Sequence, residues 1–296
     1  MGLKDFAQFT LKGSDGVAIA AYRSVPARSP KAIIQIAHGM SEHFRRYGHL
    51  TDRLNSAGYA VYANDHRGHG ASSAAHGLGD FGPGGFQAVV DDMAALTAVA
   101  KRELPGLPLV LLGHSMGSFA AQLYLLQHAG ELSALVLTGT AALDKLLETL
   151  LASGGPVTLE LLNAGFEPGR TKFDWLSRDE GQVDAYVDDP LCGFTLENSA
   201  MGTVFGLGAS ARHDPRLAQV RKDLPIYIIS GECDPVVGPD QAFVKALIGS
   251  YRALGLTNIQ HRIYAGGRHE MFNETCRDEV EDELVVWLDR ALTANL

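Results

Sequence analysis

Val110-Leu111-Leu112-Gly113-His114-Ser115-Met116-Gly117 decides the fold. With Leu109 ahead of it, an apolar run of strand length, Leu109–Leu112, leads into a G-x-S-x-G turn, and a helical pattern, Met116–Gln127, follows at once. A turn this sharp between strand and helix forces the serine into a strained backbone conformation. The flanking Gly113 and Gly117 are then required, because a Cβ at either position would collide with the crossing chain. Ser115 is thereby exposed beside a helix N-terminus, where free N–H groups favour developing negative charge. Strand before and helix after make Ser115 a candidate nucleophile rather than a serine in an ordinary turn.

Working outward, the same unit recurs. Ala32–Ala37, Tyr59–Ala63, Leu109–Leu112, Leu135–Leu137, Ile226–Ile229 and Ile259–Tyr264 are short apolar runs, the pattern of strands buried on both faces. Helices are predicted over Phe44–Ala57, Phe86–Glu103, Met116–Gln127, Gln241–Ala253 and Glu279–Leu292; Gly58 and Pro105 supply stop signals. Phe6–Lys12 and Val17–Arg23 form a hairpin about Ser14-Asp15-Gly16. Strands alternating with helices predict one α/β domain, a mostly parallel sheet covered on both faces. The alternation stops over residues 141–217, where leucine-rich helical pieces are punctuated by Gly154-Gly155-Pro156 and Pro168-Gly169. The expected division is therefore a core of 1–140 and 218–296 with a helical cap insertion at 141–217, on the sheet edge where ligand-binding loops gather.

Composition sets the outer limits. The 296 residues are 46% hydrophobic and 20% charged, ordinary for a globular chain. A net charge of -9 repels phosphate backbones, so nucleic acid is not an expected partner. Cys192, Cys233 and Cys276 are widely spaced and odd in number, which fits free thiols in a reducing, cytoplasmic setting. The N-terminus lacks the apolar run of a signal peptide, and no stretch approaches the roughly 20 apolar residues that span a bilayer. Nothing in the sequence specifies an oligomeric state.

A serine hydroxyl needs a base, and the base needs an acid to orient it. Two strand ends after Ser115 offer them. Ile228-Ile229-Ser230-Gly231-Glu232-Cys233-Asp234-Pro235 presents two carboxylates, of which Asp234 is favoured because Pro235 rigidifies it; Glu232 is the rival. Ile263-Tyr264-Ala265-Gly266-Gly267-Arg268-His269-Glu270 presents the histidine, His269. The backbone N–H groups of Met40, in the turn after Ala32–Ala37, and of Met116, one residue past the serine, are the expected oxyanion donors. His38 is expected to orient that turn. His38, His43, His49, His66, His69 and His76 crowd one region, but no HExxH or paired Cys accompanies them, so neither a metal nor another cofactor is expected.

With these residues placed, the chain resembles the monoacylglycerol lipase and lysophospholipase branch of the α/β-hydrolase superfamily, hydrolases of serine aminopeptidase S33 type. The resemblance rests on His38-Gly39-Met40-Ser41-Glu42-His43 followed by Arg46-Tyr47, Asn64-Asp65-His66-Arg67-Gly68-His69-Gly70, Gly113 to Gly117, Asp189-Pro190-Leu191, and Gly267-Arg268-His269-Glu270 with Asn273-Glu274. It implies an α/β-hydrolase fold of eight strands with a helical cap, and a Ser115–Asp234–His269 triad. It also implies hydrolysis of a small-molecule, lipid-like ester through an acyl-serine. The cap would make transient lipid contact. In glycerol-recognising members a Glu and an Arg help hold the alcohol; here they are Glu42 and Arg46. Where mammalian members carry a second histidine, three residues past the catalytic one, this chain has Phe272. A peptidase, amidase or acyltransferase could use the same triad, and a non-catalytic binding protein could use the same fold. Asp65 and Arg67 are read as braces of their loop, and Asp91-Asp92 as a solvated helix face.

Overall fold

A computed structural model describes residues 6–13, 15–152 and 159–293. Ser14 of the expected hairpin turn and Gly154-Gly155-Pro156 of the insertion lie outside the described residues. Eight strands, β1 (Ala7–Lys12), β2 (Ala18–Ser24), β3 (Ala32–Ala37), β4 (Tyr59–Asn64), β5 (Leu109–His114), β6 (Ala134–Thr138), β7 (Ile226–Gly231) and β8 (Ile259–Tyr264), form one sheet. Their order is β1-β2-β4-β3-β5-β6-β7-β8. β1 and β2 pair antiparallel with each other and β2 with β4; every later pairing is parallel. β3 to β7 are buried at every residue, which is why they read as unbroken apolar runs instead of alternating ones.

Alternate side chains enter two cores. Ile33, Leu111, Leu137 and Ile228 face one side, covered by α2 (Gly85–Glu103), α3 (Met116–His128) and α7 (Ala242–Ala253). Ile34, Leu112, Val136 and Ile229 face the other, covered by α1 (Gly48–Ser56) and α8 (Arg277–Thr293). Between β6 and β7 lie α4 (Leu143–Ala152), a 3-10 stretch at Leu159–Phe166, a single turn at Asp174–Leu176, α5 (Glu180–Asp188) and α6 (Asn198–Ala211), with no strand among the described residues. Asp179 caps α5 by accepting from the N–H groups of Gly181 and Gln182. α6 packs on α2, α3 and α4. No described helix is long and apolar enough to cross a membrane.

Three expectations are corrected. Ile259–Tyr264 is an edge strand whose only fully buried residue is Tyr264, so it is not covered on both faces. Phe44–Ala57 is not one helix: a 3-10 turn, Phe44–Tyr47, precedes α1. The side chains of Arg46 and Tyr47 and the N–H of Phe44 are bound to carboxylates outside the helix, and Gly48 at the junction is a poor helix former. Asp92 is fully buried, not solvated. It stands three residues after Val89 and four before Leu96, on the face of α2 that enters the core. There it meets the buried Arg67 at 2.6 Å, and Arg67 also reaches Asp15 at 2.8 Å.

Candidate active site

Ser115 joins β5 to α3 with φ 51 and ψ -121, a left-handed backbone that a non-glycine residue adopts only under strain. The neighbourhood holds it there. Its N–H donates to the Thr138 carbonyl at 2.9 Å, and its own carbonyl accepts from the Ser118 N–H at 2.8 Å and hydroxyl at 2.6 Å. The two flanking glycines are steric necessities. A Cβ on Gly113 would lie 2.5 Å from the Gly117 carbonyl, and one on Gly117 would lie 2.2 Å from that of Ala37.

Asp234 and His269 come from the ends of β7 and β8 and are both buried. His269 Nδ1 lies 2.9 Å and 3.0 Å from the two Asp234 carboxylate oxygens. Asp234 Oδ1 is steadied further by the Val236 N–H at 2.9 Å. A carboxylate accepts only, so Nδ1 carries the proton and Nε2 is left as a base. That Nε2 is buried, forms no hydrogen bond with the Ser115 hydroxyl in this conformation, and has no other partner among the described residues. Ser115 and His269 nonetheless line the same chamber. Glu232, the rival acid, points away and accepts from the Gly266 N–H at 2.8 Å, tying the two loops together from outside.

Met40 follows Gly39 in the turn after β3, and Met116 opens α3. Neither N–H is spent on a turn or a side-chain acceptor. The turn itself is heavily braced. The Gly39 N–H donates to Glu42 Oε1 at 2.6 Å, His38 Nδ1–H donates to the Gly39 carbonyl at 2.8 Å, and the Ser41 N–H donates to His69 Nε2 at 3.1 Å. His38 Nε2 in turn accepts from the His66 N–H at 2.9 Å. Of the six crowded histidines, His38, His66 and His69 thus form a buried stack under the turn, with His38 4.2 Å from the His66 ring and 5.3 Å from that of His69. Burial keeps them neutral: it drives His38 well below the ordinary histidine range, His66 down to about 3 and His69 down to about 4.

Glu42 and Arg46 meet each other at 2.6 Å, and Arg46 also grips Glu270 through both nitrogens at 2.5 and 2.6 Å. Tyr47 donates to Glu42 at 2.7 Å, and the Arg46 guanidinium lies over the Tyr186 ring at 4.8 Å. Burial alone would raise the Glu42 carboxyl, but Arg46 above all holds it below the ordinary range. Glu42 and Glu270 line the chamber with Ser115 and His269; Arg46 stands behind them. Phe272 is elsewhere: it is buried in the core on the α1 and α8 side and does not line that chamber.

Two unlike spaces meet at Ser115, Met40 and Leu159. One carries the polar side chains, Glu42, Glu270, His114 and Tyr186, with Trp175 and Leu176 beside them. The other is apolar, walled by Phe119, Leu146, Leu162, Val204 and Phe205 among others. Sequence reasoning assigned no role to Glu270, His114, Tyr186 or Trp175. Glu270 and His114 each adjoin a quoted motif residue and could have been found there. Tyr186 and Trp175 belong to the insertion, where no pattern points inward.

Comparison with known proteins places this arrangement. A sequence model of the family described as serine aminopeptidase, S33 matches residues 28–276. The chain belongs to this family. Within it the similarity lies with monoacylglycerol lipases. The monoacylglycerol lipase of Mycolicibacterium smegmatis is 31% identical over 292 residues, covering 95% of this chain and 96% of that protein. The human monoglyceride lipase is 27% identical over 289 residues, 95% and 89% of the two chains. Among solved structures, a thermostable carboxyl esterase from Bacillus coagulans, in complex with glycerol, superposes with a TM-score of 0.83 at 30% identity and covers 97% of this chain and 99% of its own. The S33 match spans Met40, Ser115, Asp234 and His269, and all of residues 141–217 with them.

Proposed function

We propose that this serine hydrolase cleaves a carboxylic ester joining a medium or long acyl chain to a small, neutral, hydroxylated alcohol, a monoacylglycerol-like substrate. One observation carries the reading: a serine on a strained elbow stands at the junction of an apolar and a polar chamber. An ester laid across that junction places its acyl chain among leucines and phenylalanines and its alcohol among hydrogen-bonding groups. The polar side also selects against a charged headgroup. Glu42 and Glu270 share the single guanidinium of Arg46, so a phosphate there meets excess negative charge, which favours monoacylglycerol over lysophospholipid.

His269 Nε2 accepts the Ser115 proton as Oγ attacks the ester carbonyl carbon, and Asp234 stabilises the imidazolium. The Met40 and Met116 N–H groups receive the negative oxygen; such a donor is typically worth roughly 3 kcal/mol. The intermediate collapses, the acyl–oxygen bond breaks, and His269 returns its proton to the departing alcohol. Water, deprotonated by the same imidazole, then releases the acid and regenerates Ser115. The cycle starts when the serine hydroxyl comes within hydrogen-bond reach of Nε2, a contact of the kind that tightens in the substrate complex.

Residues 141–217 act in this reading as the cap: they supply most of the apolar chamber, and exposed Leu151 and Val187 offer transient lipid contact. A reducing compartment such as the cytoplasm is part of the same proposal, on the ground that all three cysteines are unpaired. The test is a panel of kcat/KM values over monoacylglycerols, lysophospholipids and p-nitrophenyl esters, with matched amides. Monoacylglycerols should lead the lysophospholipids of equal acyl chain, and amides should trail their esters. Preference for the lysophospholipid or the amide would refute the substrate assignment.

A further inference from the structure

Trp175 lines the chamber that holds Ser115 and His269, and its indole N–H is a donor that the hydrolytic steps do not use. Trp175 stands on the single turn Asp174–Leu176 of the insertion, is buried, and packs its ring 4.6 Å from the His269 imidazole. The backbone around it is fixed. The Trp175 N–H donates to Asn163 Oδ1 at 3.0 Å, the Trp175 carbonyl accepts from the His269 N–H at 3.3 Å, and the Leu176 carbonyl accepts from the Glu270 N–H at 2.8 Å. Arg268 adds bonds to the carbonyls of Asp174 and Ser177. The indole is therefore held against the catalytic histidine by the loop that carries that histidine.

Its Nε1–H is buried without a partner among the described residues. An indole N–H only donates, and a buried donor left unpaired is unfavourable, so the group calls for an acceptor. The two carboxylates of the chamber already have partners of their own. Glu42 and Glu270 are occupied by Arg46, Tyr47, Asn273 and the Gly39 N–H. The acceptor must also be uncharged, for the reason that excludes phosphate. A hydroxyl oxygen on the alcohol half of the ester meets both conditions.

We propose that Trp175 is a specificity-determining residue whose indole N–H donates to a hydroxyl oxygen of the alcohol, fixing the leaving group beside His269 Nε2. This rests on the ester-hydrolase reading above and adds to it the residue that reads the headgroup. Because the donor is pre-positioned, it discriminates at little ordering cost.

Trp175→Phe keeps an aromatic ring beside His269 and removes the N–H together with part of the indole. With this variant, kcat/KM for a monoacylglycerol should fall about tenfold or more further than kcat/KM for the methyl ester of the same acid, which has no hydroxyl to offer. An equal fall on both esters, or none on the monoacylglycerol, overturns the proposal. A second measurement needs no change at position 175. The chain has two tryptophans, Trp175 and Trp287. In Ser115→Ala protein, titration with monoacylglycerol should move the Trp175 indole proton resonance downfield and leave that of Trp287 in place, whereas the methyl ester should move neither. An unmoved Trp175 resonance contradicts the assignment. If the unaltered protein hydrolyses neither ester, the hydrolase reading fails and this one with it, a result distinct from hydrolysis of both esters with no effect of Trp175→Phe.

Discussion

Gly139 shows how narrowly the imidazole is seated. It follows β6 with φ +55, and a Cβ there would lie 2.6 Å from His269 Cε1 and 3.0 Å from His114 Cε1. Gly139→Ala should therefore displace the His269 ring and, since misplacement by about 1 Å can cost about 100-fold, lower kcat by about 10- to 100-fold with a smaller change in KM. Steady-state kinetics on a p-nitrophenyl ester checks this, and a variant of full activity would mean that the imidazole is not needed where it stands. The strand ends that carry Ser115, Asp234 and His269 were legible because each closes an apolar run in a local pattern. Gly139 was not, since its constraint comes from a loop some 130 residues away in the chain. Asp92 was misread for a similar reason: one charged residue in an amphipathic helix looks solvated until its partner Arg67, from another loop, is in place. Asp92→Asn removes one of the two carboxylates on the buried Arg67 and should lower unfolding free energy by about 1–3 kcal/mol, measured by urea denaturation, and an unchanged midpoint would show that the pair is not structural.

At the scale of elements, the strands were readable because full burial makes them apolar throughout, and the helices because their stop residues are glycine and proline. The edge strand β8 was misread as buried on both faces although Gln260, His261 and Arg262 make half of it polar, as suits the edge of the sheet. The insertion was legible as helical and apolar but not in its inward faces, which depend on how α4 and α6 settle over α3. Those faces now make a definite claim. Leu162 is half-buried in the wall of the apolar chamber. Leu162→Trp should shorten the space and lower kcat/KM for long-chain p-nitrophenyl esters by about tenfold or more relative to the C4 ester. An unaltered chain-length profile would place the acyl group elsewhere.

For the whole molecule, the buried histidines set a pH dependence of stability. Burial, reinforced by neighbouring imidazoles, holds His66 at about 3 and His69 and His114 at about 4, below the ordinary value near 6.5. The unfolded chain thus binds protons that the folded chain refuses. Stability from these groups is fully present above about pH 6.5 and is lost as the pH falls toward 4, by up to about 1.4 kcal/mol per histidine per pH unit. Urea midpoints should therefore decline steadily between pH 7 and pH 5, and a flat profile across that range would mean that the stack is open to solvent. None of this was visible in the sequence, where His66 and His69 read only as members of a crowd and His114 as part of the serine turn.

The central claim is that Ser115 is the activated nucleophile. Treating the folded protein with a fluorophosphonate and mapping the adduct by peptide mass spectrometry tests it most directly. The expected result is a single stoichiometric adduct on the peptide carrying Ser115, slowed by at least about a thousandfold in His269→Ala. An adduct on another residue, or none on protein that remains folded, would contradict it.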